Sequence, residues 1–302
     1  MSSAIGPDPG TVTWAEVSRG ARARLVQAGR EDPGWDVRLL VAEVTGTEPG
    51  DYLEVTDRPA GARALSRFDS MVERLLTGEP LQYVVGHWSF RTLELMVDRR
   101  VLIPRPETET VVSVALAEAQ RLIDRHGHTY QRRITLADLG TGSGAIALSL
   151  AAECKVADVW ATDTSEPALA VARANLAGLG QPGARVQLRH GHWFAALPAA
   201  LAGNLAVVVS NPPYVGDDEL LPAEVADWEP ALALRGGPDG LHEVRTLVAQ
   251  APVWLRDDGV LVLELAPTQM PAARDLAAAA GFREVRVETD LAGRERTLVA
   301  RR

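Results

Sequence analysis

Ile134-Thr-Leu-Ala-Asp-Leu-Gly-Thr-Gly-Ser-Gly-Ala145 is the stretch on which the fold turns. Ile134–Asp138 reads as a strand, and the apolar run over Ser143–Glu153 reads as a helix. The glycines between them let the chain reverse tightly and let a ligand approach with no Cβ in the way. Outward from this point strands and helices alternate. A strand over Val156–Asp163 and a helix over Pro167–Ala177 come next, then strands over Val186–His190 and Ala206–Ser210. Beyond them lie a helix over His242–Trp254, a strand over Val260–Leu265 and a helix over Met270–Ala280. Two closing strands, Glu284–Glu288 and Arg296–Ala300, are near enough to pair around Leu291-Ala-Gly293. Strands that are apolar on both faces, alternating with helices, predict an α/β fold: a mostly parallel sheet covered on both sides, with an antiparallel hairpin at its end.

Upstream the period is helical. After a loose tail over residues 1–10, Thr13-Trp-Ala-Glu16 fits a capping box and opens a helix to Ala28. Further helices are expected over Trp35–Thr45 and Ala62–Thr77, so residues 1–78 read as a small helical domain. Residues 79–103 read as a β-hairpin connector, with strands in Gln82–Phe90 and Leu93–Val97. Pro106 can open the next helix, with Glu107 and Glu109 near the positive end of its dipole, and residues 104–302 form the larger domain.

The length of 302 residues agrees with about two domains at roughly 100–200 residues each. An apolar fraction of 46% with 24% charged residues excludes a disordered chain. The single cysteine, Cys154, excludes an intrachain disulfide, points to a reducing compartment and reads as a small buried hydrophobe. With 31 Lys and Arg against 40 Asp and Glu, the net charge of −9 argues against a nucleic-acid coat. Lys155 is the one lysine, a bias of composition. No apolar run of about 18 residues is present, and Met1–Asp8 lacks a signal-peptide pattern, so a cytoplasmic protein is expected.

The ligand site should lie at the carboxyl ends of the strands. Asp163 ends the strand after the glycine turn, where its carboxylate can accept from both hydroxyls of a ribose. Two cofactors fit. A dinucleotide would seat its pyrophosphate on the helix start, and Gly140-x-Gly142-x-x-Ala145 meets that fingerprint. S-adenosylmethionine carries an ammonium group and a sulfonium, and Asp138 would attract the ammonium while repelling a pyrophosphate. A turn with no ligand is the third reading.

Ser210-Asn211-Pro212-Pro213-Tyr214 follows a strand directly. Two prolines stiffen the backbone and remove two N–H donors, leaving the Asn211 oxygen and nearby carbonyls as fixed acceptors beside an aromatic ring. That cluster suits a planar NH₂ group, which gives its two hydrogens to acceptors and its face to the ring. The bland alternative is a proline turn beside a half-buried tyrosine. His126-Gly-His128 and His190-Gly-His192 lack accompanying cysteines or clustered acids and read as solvated ends, so no metal is expected. Arg99-Arg100 and Arg132-Arg133 read the same way.

The glycine turn followed by Asn211-Pro-Pro-Tyr214 resembles the amino-group methyltransferases of adenine, cytosine and glutamine. Gly78-Glu-Pro-Leu-Gln-Tyr-Val-Val-Gly86, Leu102-Ile-Pro-Arg-Pro-Glu-Thr-Glu109 and Glu229-Pro-Ala-Leu-Ala-Leu-Arg-Gly-Gly-Pro-Asp-Gly240 narrow the resemblance to the peptide chain release factor glutamine methyltransferases, the PrmC/HemK family. It covers nearly the whole chain and implies a Rossmann-like methyltransferase sheet preceded by a substrate-recognition domain. It also implies S-adenosylmethionine as cofactor and class I release factors as protein substrates, modified at the glutamine of Gly-Gly-Gln. A cytoplasmic monomer with no direct nucleic-acid or membrane partner is expected. Residue by residue, Gly140, Thr141, Gly142, Ser143 and Gly144 would form the cofactor loop, with Asp163 on the ribose and Trp193 beside the adenine. Asn211, Pro212, Pro213 and Tyr214 would hold the glutamine, with Asn211 also near the cofactor. Asn211, Pro212 and Tyr214 would be the catalytic group. Arg105 and Glu107 lie in the Ile-Pro-Arg-Pro segment without an assigned role. The family often has an acid before the aromatic, where this chain has His192. It usually has glycine soon after the glutamate of the fifth strand, where this chain has Glu264-Leu-Ala-Pro267. Two rivals share the chemistry: a ribosomal-protein glutamine methyltransferase, and an adenine N6 methyltransferase, which would need a basic cleft. A dinucleotide oxidoreductase is disfavoured by Asn211-Pro-Pro-Tyr214.

Overall fold

A computed structural model describes residues 12–126 (residue 126 by its backbone alone) and 133–302. The tail over residues 1–10 and the His126 and His128 side chains lie outside the described residues. The chain divides into two compact units, Met1–Gly86 and His87–Arg302.

The first unit is helical: α1 (Trp14–Gln27), α2 (Pro33–Thr45), α3 (Tyr52–Val55), α4 (Ala62–Leu76) and α5 (Leu81–Val85). The capping box forms, with Thr13 Oγ1 accepting from the Glu16 N–H and Glu16 Oε2 accepting from the Thr13 N–H at 3.0 Å. Leu25, Leu40, Phe68, Val72, Leu75 and Leu81 close one core, in which Trp14 meets Phe68 edge-on at 5.6 Å. The stretch expected to begin a strand at Gln82 is helical. Pro80 sets the helix start, Leu81 and Val84 point into this core, and Gly86 ends the turn in the left-handed region, φ 87°. Local β propensity at Tyr83-Val-Val85 loses to burial. The expected boundary at Gly78 moves to Gly86 accordingly.

The second unit opens with the hairpin β1 (His87–Phe90) and β2 (Leu93–Met96), shorter than the sequence suggests. Arg91 at its turn has φ 53°, and its guanidinium grips both oxygens of Glu153 at 2.6 and 2.7 Å. Then follow α6 (Pro106–His126), β3 (Ile134–Leu139), α7 (Ala145–Glu153), β4 (Ala157–Asp163), α8 (Glu166–Gly178), β5 (Val186–His190) and β6 (Leu205–Ser210). Short helices α9 (Ala223–Ala226) and α10 (Ala231–Leu234) precede α11 (His242–Trp254), β7 (Leu255–Glu264), α12 (Met270–Ala279), β8 (Glu284–Thr289) and β9 (Glu295–Arg301).

The main sheet runs β5-β4-β3-β6-β7-β9-β8. Its first five strands are parallel, and β9 lies antiparallel between β7 and β8. Side chains alternate across it. Leu136, Val207, Val209, Val260 and Val262 pack with residues of α6 and α7, whereas Leu139, Val208, Leu261 and Leu263 pack with those of α11 and α12. Strand order reverses between β3 and β6, the crevice where such sheets bind ligands. Among the described residues no helix is long and apolar enough to cross a membrane.

Candidate active site

At that reversal a cavity of about 210 Å³ opens. Its floor is Gly140–Ser143, one side is Asp163–Ser165, and the other is Asn211 and Pro213. Arg105 just before α6, Thr108 in its first turn, and Pro230, Leu232 and Arg235 around α10 complete its lining.

Four of the amides in Gly140–Gly144 are already committed, that of Ser143 being the exception among the described bonds. Gly140 and Thr141 N–H both donate to the Thr162 carbonyl, and Gly144 N–H donates to the Thr141 carbonyl. Gly142 N–H donates to Asp163 Oδ2 at 2.8 Å. A pyrophosphate needs those donors and would meet the Asp163 carboxylate in their place. Asp163 also accepts from Ser165 N–H through Oδ1 at 2.8 Å. Each of its oxygens keeps a lone pair for a ribose hydroxyl. Burial raises its pKa.

Asp138 lies beneath the loop and does not line the cavity. The pleat turns its side chain toward α7, where Oδ2 accepts from Thr141 Oγ1 at 2.6 Å and from Ala147 N–H at 3.0 Å. Oδ1 is buried with no partner among the described residues. Burial pushes the carboxyl up to about 7. This differs from the expected position beside an ammonium group. With Asp163 accepting from the loop and Asp138 beneath it, two acids sit where a pyrophosphate would bind, which fits S-adenosylmethionine better than a dinucleotide.

Trp193 lies against the glycine loop. A Cβ on Gly140 would sit 2.9 Å from its ring, so the glycine is required there. Trp193 holds φ 43°, strained for a bulky residue, and its Nε1–H donates to Glu243 Oε2 at 2.5 Å. Glu243, from α11, lines the cavity, and His192 Nε2 is 3.6 Å from the same oxygen. A carboxylate thus lies beside Trp193 from another element, where the sequence has His192 before the aromatic.

Asn211 and Pro213 face the cavity, whereas Pro212 and Tyr214 are not among its lining residues. Pro212 is buried behind the turn, and Tyr214 packs against the α11–α12 core. Burial, then the nearby Glu264 charge, pushes the Tyr214 phenol up to about 12. Asn211 Nδ2 donates to Thr108 Oγ1 at 3.3 Å, and Thr108 Oγ1 donates to Glu264 Oε2 at 2.7 Å. Neither Thr108 nor Glu264 was singled out as part of the site from the sequence. After Glu264, Pro267–Gln269 forms a 3₁₀ turn from which Gln269 Nε2 donates to the Tyr214 carbonyl at 2.8 Å.

The two residues without a role acquire structural ones. Arg105 pairs with the buried Glu229, whose other oxygen accepts from Ile103 N–H at 3.1 Å. That joins the Ile-Pro-Arg-Pro segment to the one carrying α10. Glu107 does not line the cavity and accepts from Arg294 at 2.8 Å. His190 Nε2 lies 3.0 Å from the Thr164 carbonyl, and among the described residues no His, Cys, Asp and Glu cluster could hold a metal. Cys154 packs partly buried against the α6–α7 core, which raises its thiol pKa.

Comparison with known proteins bears on both units. Residues 16–86 match the PrmC N-terminal domain, and residues 119–225 match the methyltransferase small domain. The chain is 38% identical over 289 residues to the release factor glutamine methyltransferase of Cereibacter sphaeroides, covering 95% of this chain and 98% of that one. With its counterpart from Moorella thermoacetica it shares 41% over 282 residues, covering 92% and 95%. Among solved structures, a methyltransferase from Pyrococcus furiosus superposes with a TM-score of 0.50 at 16% identity, over 77% of this chain and 98% of that chain, a likeness of fold. The chain belongs to the release factor glutamine methyltransferase family.

Proposed function

We propose that this protein methylates the side-chain amide nitrogen of the glutamine in the Gly-Gly-Gln motif of class I release factors. The observation that carries the reading is Asn211, an amide acceptor held in the same cavity as the glycine loop. S-adenosylmethionine supplies an electrophilic methyl group on sulfonium sulfur. The rest is positioning, because an amide nitrogen is a poor nucleophile with its lone pair delocalised into the carbonyl.

Asn211 Oδ1 accepts hydrogen bonds from the substrate NH₂ group, favours pyramidal nitrogen and would direct its lone pair toward the methyl group of bound S-adenosylmethionine, while the buried Pro212 stiffens the turn. Those bonds strengthen as positive charge develops on nitrogen, so they stabilise the transition state more than the ground state. Holding the atoms at roughly 3–3.5 Å supplies much of the remaining acceleration. Tyr214 backs the turn and keeps it rigid. The N-methylated amide cation is acidic enough to lose its proton to water, and no histidine is required. The helical unit recognises the release factor, and the protein works as a cytoplasmic monomer on a protein substrate without contacting nucleic acid.

Incubation with labelled S-adenosylmethionine and, separately, a release factor, its Gln→Ala variant, ribosomal proteins and duplex DNA tests this. Label on the intact factor alone is expected. Label that persists on the Gln→Ala factor, or that goes only to ribosomal proteins or DNA, overturns it.

A further inference from the structure

An asparagine side chain is nearly symmetric in outline but opposite in chemistry at its two ends: one accepts, the other donates. For Asn211 to receive the hydrogens of a substrate NH₂ group, its oxygen must face the cavity. Turned over, it would set donor against donor. Something must choose between the two orientations.

We infer that Thr108 and Glu264 are positioning residues that lock the Asn211 amide with its oxygen toward the substrate. Three elements converge: Thr108 is in the first turn of α6, Glu264 ends β7, and Asn211 follows β6. Thr108 and Glu264 are both buried, 4% and 1% exposed. The Thr108 hydroxyl has one proton, and it goes to Glu264 Oε2 at 2.7 Å. What remains on Thr108 Oγ1 toward Asn211 is a lone pair, which accepts from Nδ2 at 3.3 Å. With Nδ2 so engaged, Oδ1 is the end left over, and no described residue donates to it. The order of donation along the chain is set at its far end, because an ionised carboxylate can only accept.

Protonated Glu264 reverses the chain. It can donate to Thr108, whose own proton then turns toward Asn211 and favours the oxygen inward. Burial is the main force pushing the Glu264 carboxyl up, to about 7, so the change falls near neutral pH. The charged and titratable groups facing Glu264 are Arg296 on β9, Arg105 and Glu107 at the start of α6, and the Tyr214 phenol. The catalytic consequence rests on the proposed amide methylation; the orientation of Asn211 does not.

The test uses the full chain as wild type, Thr108→Val, Thr108→Ser and Glu264→Gln. For turnover on a release factor, Thr108→Val is expected to lower kcat by roughly 10–100-fold. Its affinity for S-adenosylmethionine should stay within about twofold, and Thr108→Ser should recover most of the lost rate. The wild-type kcat should fall on the acid side of about pH 7, and Glu264→Gln, which does not titrate, should lack that limb. Independently of turnover, the side-chain NH₂ signals of Asn211 in ¹⁵N-labelled protein, assigned by their loss in Asn211→Asp, should move with pH in wild type and stay fixed in Thr108→Val. Wild-type signals that ignore pH, or equal pH responses in wild type and Thr108→Val, overturn the relay. So does a Thr108→Val enzyme that turns over within threefold of wild type. A wild type inactive on release factors would overturn the proposed reaction instead, and the NH₂ titration would still decide the relay.

Discussion

Gly240 sits against the Asn211–Tyr214 turn to which substrate binding is proposed, and Gly240→Ala should disable chemistry while sparing cofactor binding. The residue has φ +70°, and a Cβ placed on it would lie 2.1 Å from the Tyr214 carbonyl oxygen, where ordinary contact begins at 3.4 Å. Two costs combine. The left-handed backbone costs an alanine roughly 1–2 kcal/mol. The overlap cannot be absorbed by a flexible side chain, because the atom it meets is backbone. The Tyr214 carbonyl must therefore retreat by about 1 Å and carry the Asn211–Tyr214 turn with it, a misplacement of the size that costs about 10²-fold in rate. It also loses its bond from Gln269 Nε2, now 2.8 Å long. The floor of the cavity, Gly140–Ser143, is untouched. The expected result is a kcat lower by about two orders of magnitude, with S-adenosylmethionine affinity by calorimetry within about threefold of wild type. Unfolding in urea separates this from collapse of the fold, since a combined loss of about 3–4 kcal/mol still leaves a domain with the usual stability of about 5–15 kcal/mol folded. A variant with wild-type kcat would refute the reasoning, because the turn would then tolerate a displacement that the mechanism forbids.

Asn211→Ala removes the amide acceptor and should lower kcat by about 10²–10³-fold while S-adenosylmethionine affinity changes far less; retained turnover would remove the amide clamp. Asp138 gives a pH signature in cofactor-free protein. Its carboxyl is near 3.8 when unfolded and about 7 when folded. Between those values the unfolded chain has released a proton that the folded one keeps, so stability falls as pH rises to about 7, and the cost is full above it. Asp138→Asn should flatten the fall between about pH 5.5 and 7.5 by roughly 2 kcal/mol in urea unfolding, and parallel curves would contradict the assignment. Arg105→Ala strands the buried Glu229 carboxylate. The loss should be about 2–3 kcal/mol, under the 3–5 of a fully buried pair because the guanidinium is a third exposed, and a loss below about 0.5 kcal/mol would show the pair to be incidental.

The alternation that builds the sheet was legible because each buried strand is a short apolar run closed by a turn, and the glycine loop because its conformation admits little else. The Leu81–Val85 helix was not. Its residues favour a strand, and only their burial against Leu75 and Phe68 makes the helix the better state. Asp138 is adjacent to the loop in sequence, yet the pleat turns its side chain toward α7 and away from the cavity where an ammonium group was expected. Glu243 and Glu264 escaped for a different reason. Glu243 reaches Trp193 across 50 positions, and Glu264 reaches Thr108 across 156. No local period relates such residues; only the folded strand order does.

The place of β9 between β7 and β8 governs how this protein can be made. A chain emerging residue by residue builds β5 through β7 and even β8 while the slot between the last two is empty. Until Glu295–Arg301 arrives, Val260–Leu263 presents an unpaired apolar edge, the kind of template on which nascent chains join one another. The seal is inserted last and fastened by Arg301 to the buried Glu118 at 2.7 Å. Synthesis that stalls shortly before residue 295 should therefore yield a sticky product, not a weaker enzyme.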